Sequence, residues 1–421
     1  VTAEPVAIEQ PATEDDVVAL VRAAGDRSLR VKAVGSGHSF PPIAVTEGVM
    51  LRMERLRGIV DVDVATRRVV VRSGTVLGDL NRALFARGLA LPNLGDIDRQ
   101  TISGAVGTGT HGTGARFRGI ADAVVGLRIV LADGSAVSCD ADREPALFQA
   151  ARIGLGALGV VTELTLQCVP AFLLAAREEP DSLSRVLQGF DELVESTDHV
   201  EFYWFPHTDR VLVKRNTRTD LERGARPLPR WRARLDDDLL ANRVFEAVNR
   251  LAAARPSWIP AINAVSSRAL SAREFTQPSF EVFASERSVR FNEMEYAVPR
   301  EALPQVMRDL RTLADGHRLA FPVEVRVAAA DDLWLSTATG RDTAYVAVHE
   351  YHRRDHRAYF DGFEAIARAV DGRPHWGKWH SRAVDDLRET YPGLADVIAV
   401  RDRVDPERRF ANPYLDRVLG P

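Results

Sequence analysis

Cysteine is nearly absent: Cys139 and Cys168 are the only two in 421 residues. Two thiols so far apart make neither a disulfide framework nor a zinc site, and they fit a reducing, cytoplasmic compartment. Long apolar runs are missing too; none approaches the roughly 20 residues of a membrane-spanning helix. Residues 1–10 lack the basic start and apolar core of a signal peptide. Neither sign of charge dominates: 55 Lys and Arg stand against 59 Asp and Glu, a net charge of −4. With the signs mixed along the chain, nucleic acid and anionic membranes are poor main partners. There are no internal repeats and no low-complexity tracts.

What is present is an ordinary globular composition, 45% hydrophobic and 27% charged, and a length suited to two or three domains. Residues 13–24 read as a helix: Thr13 can cap it, Glu14, Asp15 and Asp16 suit its positive end, and Gly25 stops it. A short strand, 29–34, runs into Gly35-Ser36-Gly37-His38-Ser39. Segments 49–53, 59–64 and 69–72 alternate like strands of one sheet, and 77–87 is an amphipathic helix ending at Gly88. Asp133-Gly134 sits between 127–131 and 136–138 as a hairpin turn. Strand 160–166 follows, and Val169-Pro170 leaves this region. Further on, 201–205 is extended and aromatic-rich, and 223–234 is a basic, proline-containing loop. Strands are expected at 289–298, 323–327 and 345–349, and helices at 301–313 and 356–370. This is an α+β pattern in two parts, without the regular alternation of a doubly wound fold.

Gly154-Leu155-Gly156-Ala157-Leu158-Gly159 matches the dinucleotide fingerprint in letters. That motif needs a strand before it and a helix after it, so that a pyrophosphate meets the helix N-terminus. Here a helical stretch, 146–152, precedes and a β-branched strand follows, so the glycines read as a tight helix-to-strand turn. Two other clusters pass the test of context. Gly35-Ser36-Gly37-His38-Ser39-Phe40 follows a strand, and a second run extends from Ser103 to Gly114. Glycines mixed with Ser and Thr let backbone N–H groups and hydroxyls converge on an anion. No lysine follows in the Walker pattern, so a phosphate-bearing ligand other than a nucleoside triphosphate is indicated.

VGSGHSF at 34–40, GTGTHGTG at 107–114 and RPHWGK at 373–378 occur in that order. Together they resemble the aldonolactone oxidoreductases of the vanillyl-alcohol-oxidase flavoprotein superfamily: L-gulono-1,4-lactone and D-arabinono-1,4-lactone oxidases and dehydrogenases, with alditol oxidases more distant. The resemblance runs from about residue 8 to 419. It implies an FAD-binding domain over 1–172, a cap or substrate domain over 173–372, and a segment 373–421 that returns to the FAD domain. Gly35, Ser36, Gly37, His38 and Ser39 would cradle the pyrophosphate. Thr101, Gly104, Thr108, Gly109, Thr110, His111 and Gly112 would complete the cleft, with Val160 or Val161 near the adenine. His38 holds the position that bonds covalently to the flavin in many relatives; a histidine that only bonds a phosphate is the plainer alternative.

Alternation in Val-Glu-Val-Arg-Val puts Glu324 and Arg326 on one strand face and the valines on the other. An isolated pair of this kind is a structural ion pair; the resemblance makes it the pair that binds the reacting hydroxyl. His349 shares a face with Tyr345 and Ala347, and by resemblance faces the substrate, as does Lys378. Arg326 and Lys378 would then stabilise developing negative charge, while Glu324 fixes the hydroxyl and His349 or a water takes its proton. Gly95 by resemblance leaves a path for O2. Asp96 and His349 replace a serine and a threonine of alditol oxidases, which favours a lactone. The expected activity is oxidation of an aldono-1,4-lactone at its C2 hydroxyl, with electrons passing to O2 or another acceptor. An alditol oxidase acting on a terminal hydroxyl and a flavin-binding protein without turnover are the rivals.

Overall fold

The computed structural model describes residues 3–229, 244–284 and 289–421. Helix Glu14–Asp26 starts as its sequence dictates: the Thr13 hydroxyl accepts from Asp16 N at 3.1 Å, and Asp16 returns the bond to Thr13 N at 2.9 Å. Gly25 does not end it; the helix runs to Asp26 and the chain reverses at Ser28, whose φ is 54°. The buried stripe Val17, Val21 and Ala24 covers a three-stranded parallel sheet in the order Ala7–Glu9, Val49–Arg52, Val31–Val34.

One expectation fails here. Val49–Arg52 does not share a sheet with Ile59–Asp63 and Arg68–Arg72. Those two join a five-stranded antiparallel sheet with Val160–Gln167, Val124–Val130 and Ala136–Asp140, in the order 59, 68, 160, 124, 136. Alternation reports a half-buried strand but not its neighbour, and the 3-10 turn Met53–Arg55 breaks the chain between the two sheets. The hairpin at Asp133-Gly134 forms as expected, with Gly134 at φ 77°.

The larger sheet has eight strands: Arg273–Pro278, Leu173–Ser182, Arg210–Thr219, His199–Trp204, Val323–Ala328, Thr343–Tyr351, Phe291–Pro299 and Arg373–Pro374 in spatial order, all neighbours antiparallel. One face buries Val323, Val325, Val327, Val346, Val348, Met294, Tyr296, Phe202 and Trp204. Against it pack helix Leu303–Gly316, through Leu303, Val306, Met307 and Leu310, and helix Arg357–Arg368, through Tyr359, Phe360 and Phe363. These spacings are the apolar stripes of amphipathic helices. The segment 223–234 lies only partly within the described residues. The C-terminal residues Trp376, Leu394, Val397, Tyr414, Leu415 and Val418 share a core with Leu77, Leu80, Leu84, Leu127 and Leu164 from the first part of the chain.

Candidate active site

The first and third motifs touch through their backbones, and the second packs on the third, where a Cβ on Gly109 would lie 3.9 Å from Trp376 Cδ1. Gly35 lies against Thr101, where a Cβ would come 2.2 Å from Thr101 Oγ1. Phe40 N–H donates to Gly377 O at 2.9 Å, which ties the first glycine loop to the late HWGK motif. Gly114 N–H donates to Val327 O at 2.8 Å, joining the second glycine run to the strand of Glu324 and Arg326. A cleft of about 370 Å³ opens between the first glycine loop, the stretch Gln100–Thr108 and the turn Gly154–Gly159.

Its lining includes Gly35, Ser36, Gly37, His38, Ser39, Thr101, Gly104, Thr108 and Val161, with Lys32, Phe40, Leu127 and Ile129. Among the described residues that line it there is no Asp or Glu, in a chain with 59 of them. A wall of backbone, hydroxyls and apolar side chains without a fixed anion suits a diphosphate flanked by flat rings. A Cβ at Gly35 would intrude on Thr101, and Gly37 holds φ +70°. The residues present therefore fit FAD. Val161 lines the cleft, whereas Val160 is buried in the core beside the first parallel sheet. The Gly154–Gly159 turn does follow helix Pro145–Arg152 and precede a strand, and it also forms part of the wall. His38 is held below the usual histidine range by partial burial and by the charges of Lys378 and Arg99, which favours the neutral ring.

Gly95, Asp96, Gly109, Thr110, His111 and Gly112 lie beyond this lining. Gly112 packs where a Cβ would meet Leu94 O at 2.2 Å, and one on Gly95 would lie 3.1 Å from His111 O. Thr110 Oγ1 accepts from Gln100 at 3.3 Å. His111 points inward: Nε2 meets Glu295 Oε1 at 2.9 Å, Nδ1 meets Gly112 O at 2.9 Å, and the ring stacks on Tyr345 at 3.5 Å.

The second face of the eight-stranded sheet is polar, and strand alternation makes it so. Arg326 is enclosed by carboxylates: Glu201 Oε2 lies 2.9 Å from its Nε, Asp96 Oδ2 lies 3.4 Å from Nη2, and Glu324 Oε1 also contacts Nη2. Burial opposes its charge, but Glu324, Asp96 and Glu201 outweigh burial and hold its pKa well above normal. Asp96 comes from the first part of the chain, so the predicted Asp96, Glu324 and Arg326 are brought together. Lys378 Nζ lies 2.5 Å from Glu293 Oε2, and His349 Nε2 lies 3.5 Å from the other oxygen of Glu293. Burial lowers the Lys378 pKa, yet Glu293, Glu295 and Asp96 raise it further, so it remains a cation. Burial likewise pushes Glu293 up, but Lys378 and His349 bring it down to about 2. His375 is held near 4 by burial, and its Nδ1 accepts from Gly377 N at 3.0 Å.

Sequence reasoning missed Glu201, Tyr203, Lys214, Glu293, Glu295 and His375. The signal existed. Glu201 and Tyr203 alternate with buried Phe202 and Trp204, and Glu293 and Glu295 with Met294 and Tyr296, as Glu324 and Arg326 alternate with valines. Register then aligns them: Tyr203 lies opposite Glu324, Glu201 opposite Lys214, and Glu293 opposite His349.

An FAD-binding domain model matches residues 5–140. The fold is shared with cholesterol oxidase from Brevibacterium sterolicum, at a TM-score of 0.82 and 18% identity over 98% of this chain and 93% of that one. The chain is thus a two-domain FAD flavoprotein, with an FAD-binding domain and a cap built on the large antiparallel sheet. Residues 164–418 match the D-arabinono-1,4-lactone oxidase model. An L-gulono-1,4-lactone dehydrogenase of Mycobacterium tuberculosis is 42% identical over 99% of this chain and 96% of its own length. An L-gulonolactone oxidase of Mus musculus is 32% identical over 97% and 94%. The chain belongs to the aldonolactone oxidase/dehydrogenase family, FAD oxidoreductases acting on CH–OH donors. Among the described residues no helix is long and apolar enough to cross a membrane.

Proposed function

We propose that this protein oxidises the C2 hydroxyl of an aldono-1,4-lactone, L-gulono- or D-arabinono-1,4-lactone, in the cytoplasm, passing electrons to O2 or another acceptor. The observation that carries this is the buried cation Arg326 among Glu324, Glu201 and Asp96, with His349 on the next strand and Lys378 in the turn after strand Arg373–Pro374. A face with several carboxylates per cation suits a neutral, hydroxyl-rich ligand, in contrast to the acid-free cleft beside it. Bound FAD supplies the hydride acceptor. Gly35, Ser36, Gly37, Ser39, Thr101, Gly104 and Thr108 would hold its diphosphate, Val161 its adenine end, and Gly109, Thr110, His111 and Gly112 would shape the wall behind. Domain limits near 172 and 373 follow from the exit at Val169-Pro170 and the return of the C-terminal core residues.

His38 is the proposed covalent attachment: a neutral imidazole on the cleft wall is a competent nucleophile. Arg326 and Lys378 hold fixed positive charge where an alkoxide develops, so no reorganisation is needed during reaction. Glu324 and Asp96 orient the hydroxyls, His349 offers a ring nitrogen to the substrate, and Gly95 leaves the oxygen path open.

The test is a panel of aldonolactones and polyols mixed anaerobically with purified protein, with flavin bleaching followed by absorbance. Lactones should bleach it. Arg326→Ala and Lys378→Ala should keep the flavin and lose about 10²–10³-fold in reduction rate. Reduction by polyols alone would sink the lactone reading. Yellow colour that stays with the acid-precipitated pellet, and is lost to the supernatant in His38→Ala, checks the tether.

A further inference from the structure

The Tyr203 hydroxyl lies 3.1 Å from Glu324 Oε1 and 3.1 Å from Glu201 Oε1. A phenol has one proton and cannot donate to both carboxylates at once. The geometry is that of a hydrogen bond able to switch direction. We propose that Tyr203 and Glu201 carry the substrate hydroxyl's proton away from Glu324, a relay that rests on the functional reading above.

The step balances. The substrate O–H bond breaks and its proton goes to Glu324. With FAD bound as the hydride acceptor, the adjacent C–H hydrogen would leave with its electron pair as the C=O bond forms. The proton on Glu324 then moves to the Tyr203 oxygen as the Tyr203 proton moves to Glu201. Two electrons and two hydrogens leave the substrate, and one proton ends on Glu201.

Three observations set this direction. Side-chain exposure rises along the path, from 6% at Glu324 to 12% at Glu201 and 20% at Lys214, so the relay leads outward. Lys214 Nζ lies 3.2 Å from the same Glu201 oxygen and 4.8 Å above the Tyr203 ring, which keeps Glu201 ionised at rest and hence an acceptor. The competing route through His349 stops early. Its Nε2 lies 3.5 Å from Glu293 without a short hydrogen bond, against 3.1 Å for each contact of the Tyr203 hydroxyl, and its Nδ1 faces a backbone carbonyl, Pro322 O, at 3.3 Å.

Tyr203 and Glu201 act through Glu324, so the test must read proton movement as well as rate. The flavin-loaded parent, Tyr203→Phe and Glu201→Gln are mixed anaerobically with L-gulono-1,4-lactone in H2O and D2O. The expected result is a limiting reduction rate lower by about 10²-fold in each variant, within the range of a lost acid–base group. The lactone dissociation constant should change by less than about threefold. The solvent isotope effect on the limiting rate should exceed the parent's, and formate should accelerate Tyr203→Phe. Either variant reducing at the parent's rate overturns the relay, as does a slowed rate with the parent's isotope effect. A parent that no aldonolactone reduces overturns the functional reading and the relay together; a parent reduced normally with equally fast variants overturns the relay alone.

Discussion

At Gly35 a single missing methyl decides whether two glycine-rich segments can meet. A Cβ there would sit 2.2 Å from Thr101 Oγ1 and 3.3 Å from Thr101 Cβ. Thr101 cannot swing away cheaply, because its hydroxyl caps the short helix Ile102–Gly107 and faces Gly104 N at 3.4 Å. Gly35→Ala should therefore cost about 1–3 kcal/mol, the usual range for overpacking, and release FAD. Adding Thr101→Ala should recover part of the loss. Melting temperature and flavin content of the single and double variants measure this; a Gly35→Ala protein as yellow and as stable as the parent would refute it. The glycine was visible in the sequence. Its reason, the distance to Thr101, was not.

Among the elements, strand Thr343–Tyr351 shows how far alternation reaches. Tyr345, Ala347 and His349 share the polar face, while Ala344, Val346 and Val348 face the helices, as the pattern predicts. Glu350 breaks the pattern by following the valines into the interior, where burial pushes its pKa up to about 7; Arg354 at 3.5 Å and the Tyr351 N–H offset burial only in part. Below about pH 4.5 the carboxyl is protonated folded and unfolded alike. As pH rises towards 7 the unfolded chain ionises first, so this group's contribution to stability is lost across that window. Glu350→Gln should match the parent near pH 4 and be more stable at pH 8, by up to about 3 kcal/mol for a shift of this size. Thermal melts at the two pH values decide it; an equal difference at both would show that the carboxyl does not titrate in this way. The strands of Glu201 and Glu293 carried the same alternation as that of Glu324. Their part in the site was hidden because a strand's pattern says which face is polar and not what stands opposite.

Across the whole molecule, the last residues hold the first motif in place. Asn412 Nδ2 donates among the carbonyls of Pro42, Ile43 and Val45, at 3.1, 3.0 and 2.9 Å, just beyond the Gly35–Phe40 loop. The same side chain caps helix Pro413–Leu419 by accepting from Leu415 N at 2.9 Å. Asn412→Ala removes the cap and leaves three carbonyls without this donor, a loss of about 1–3 kcal/mol. It should raise the rate of flavin release, or leave a covalently held flavin with altered fluorescence. Unchanged flavin retention and melting temperature would show that the C-terminal segment does not support the loop.

The sequence by itself determined the α+β class, most strand and helix positions, the two glycine-rich clusters, the helix-to-strand order around Gly154–Gly159, and the shared face of Glu324 and Arg326. Each of these depends on periodicity or on residue chemistry within a few positions. Only the tertiary structure decided that Val49–Arg52 joins a different sheet from its successors, that Asp96 closes on Arg326, that His111 turns inward to Glu295, and that Tyr203 and Glu201 stand beside Glu324. Those contacts join segments roughly 120 to 230 positions apart. They arise from strand order and register, which the alternation of single strands leaves open.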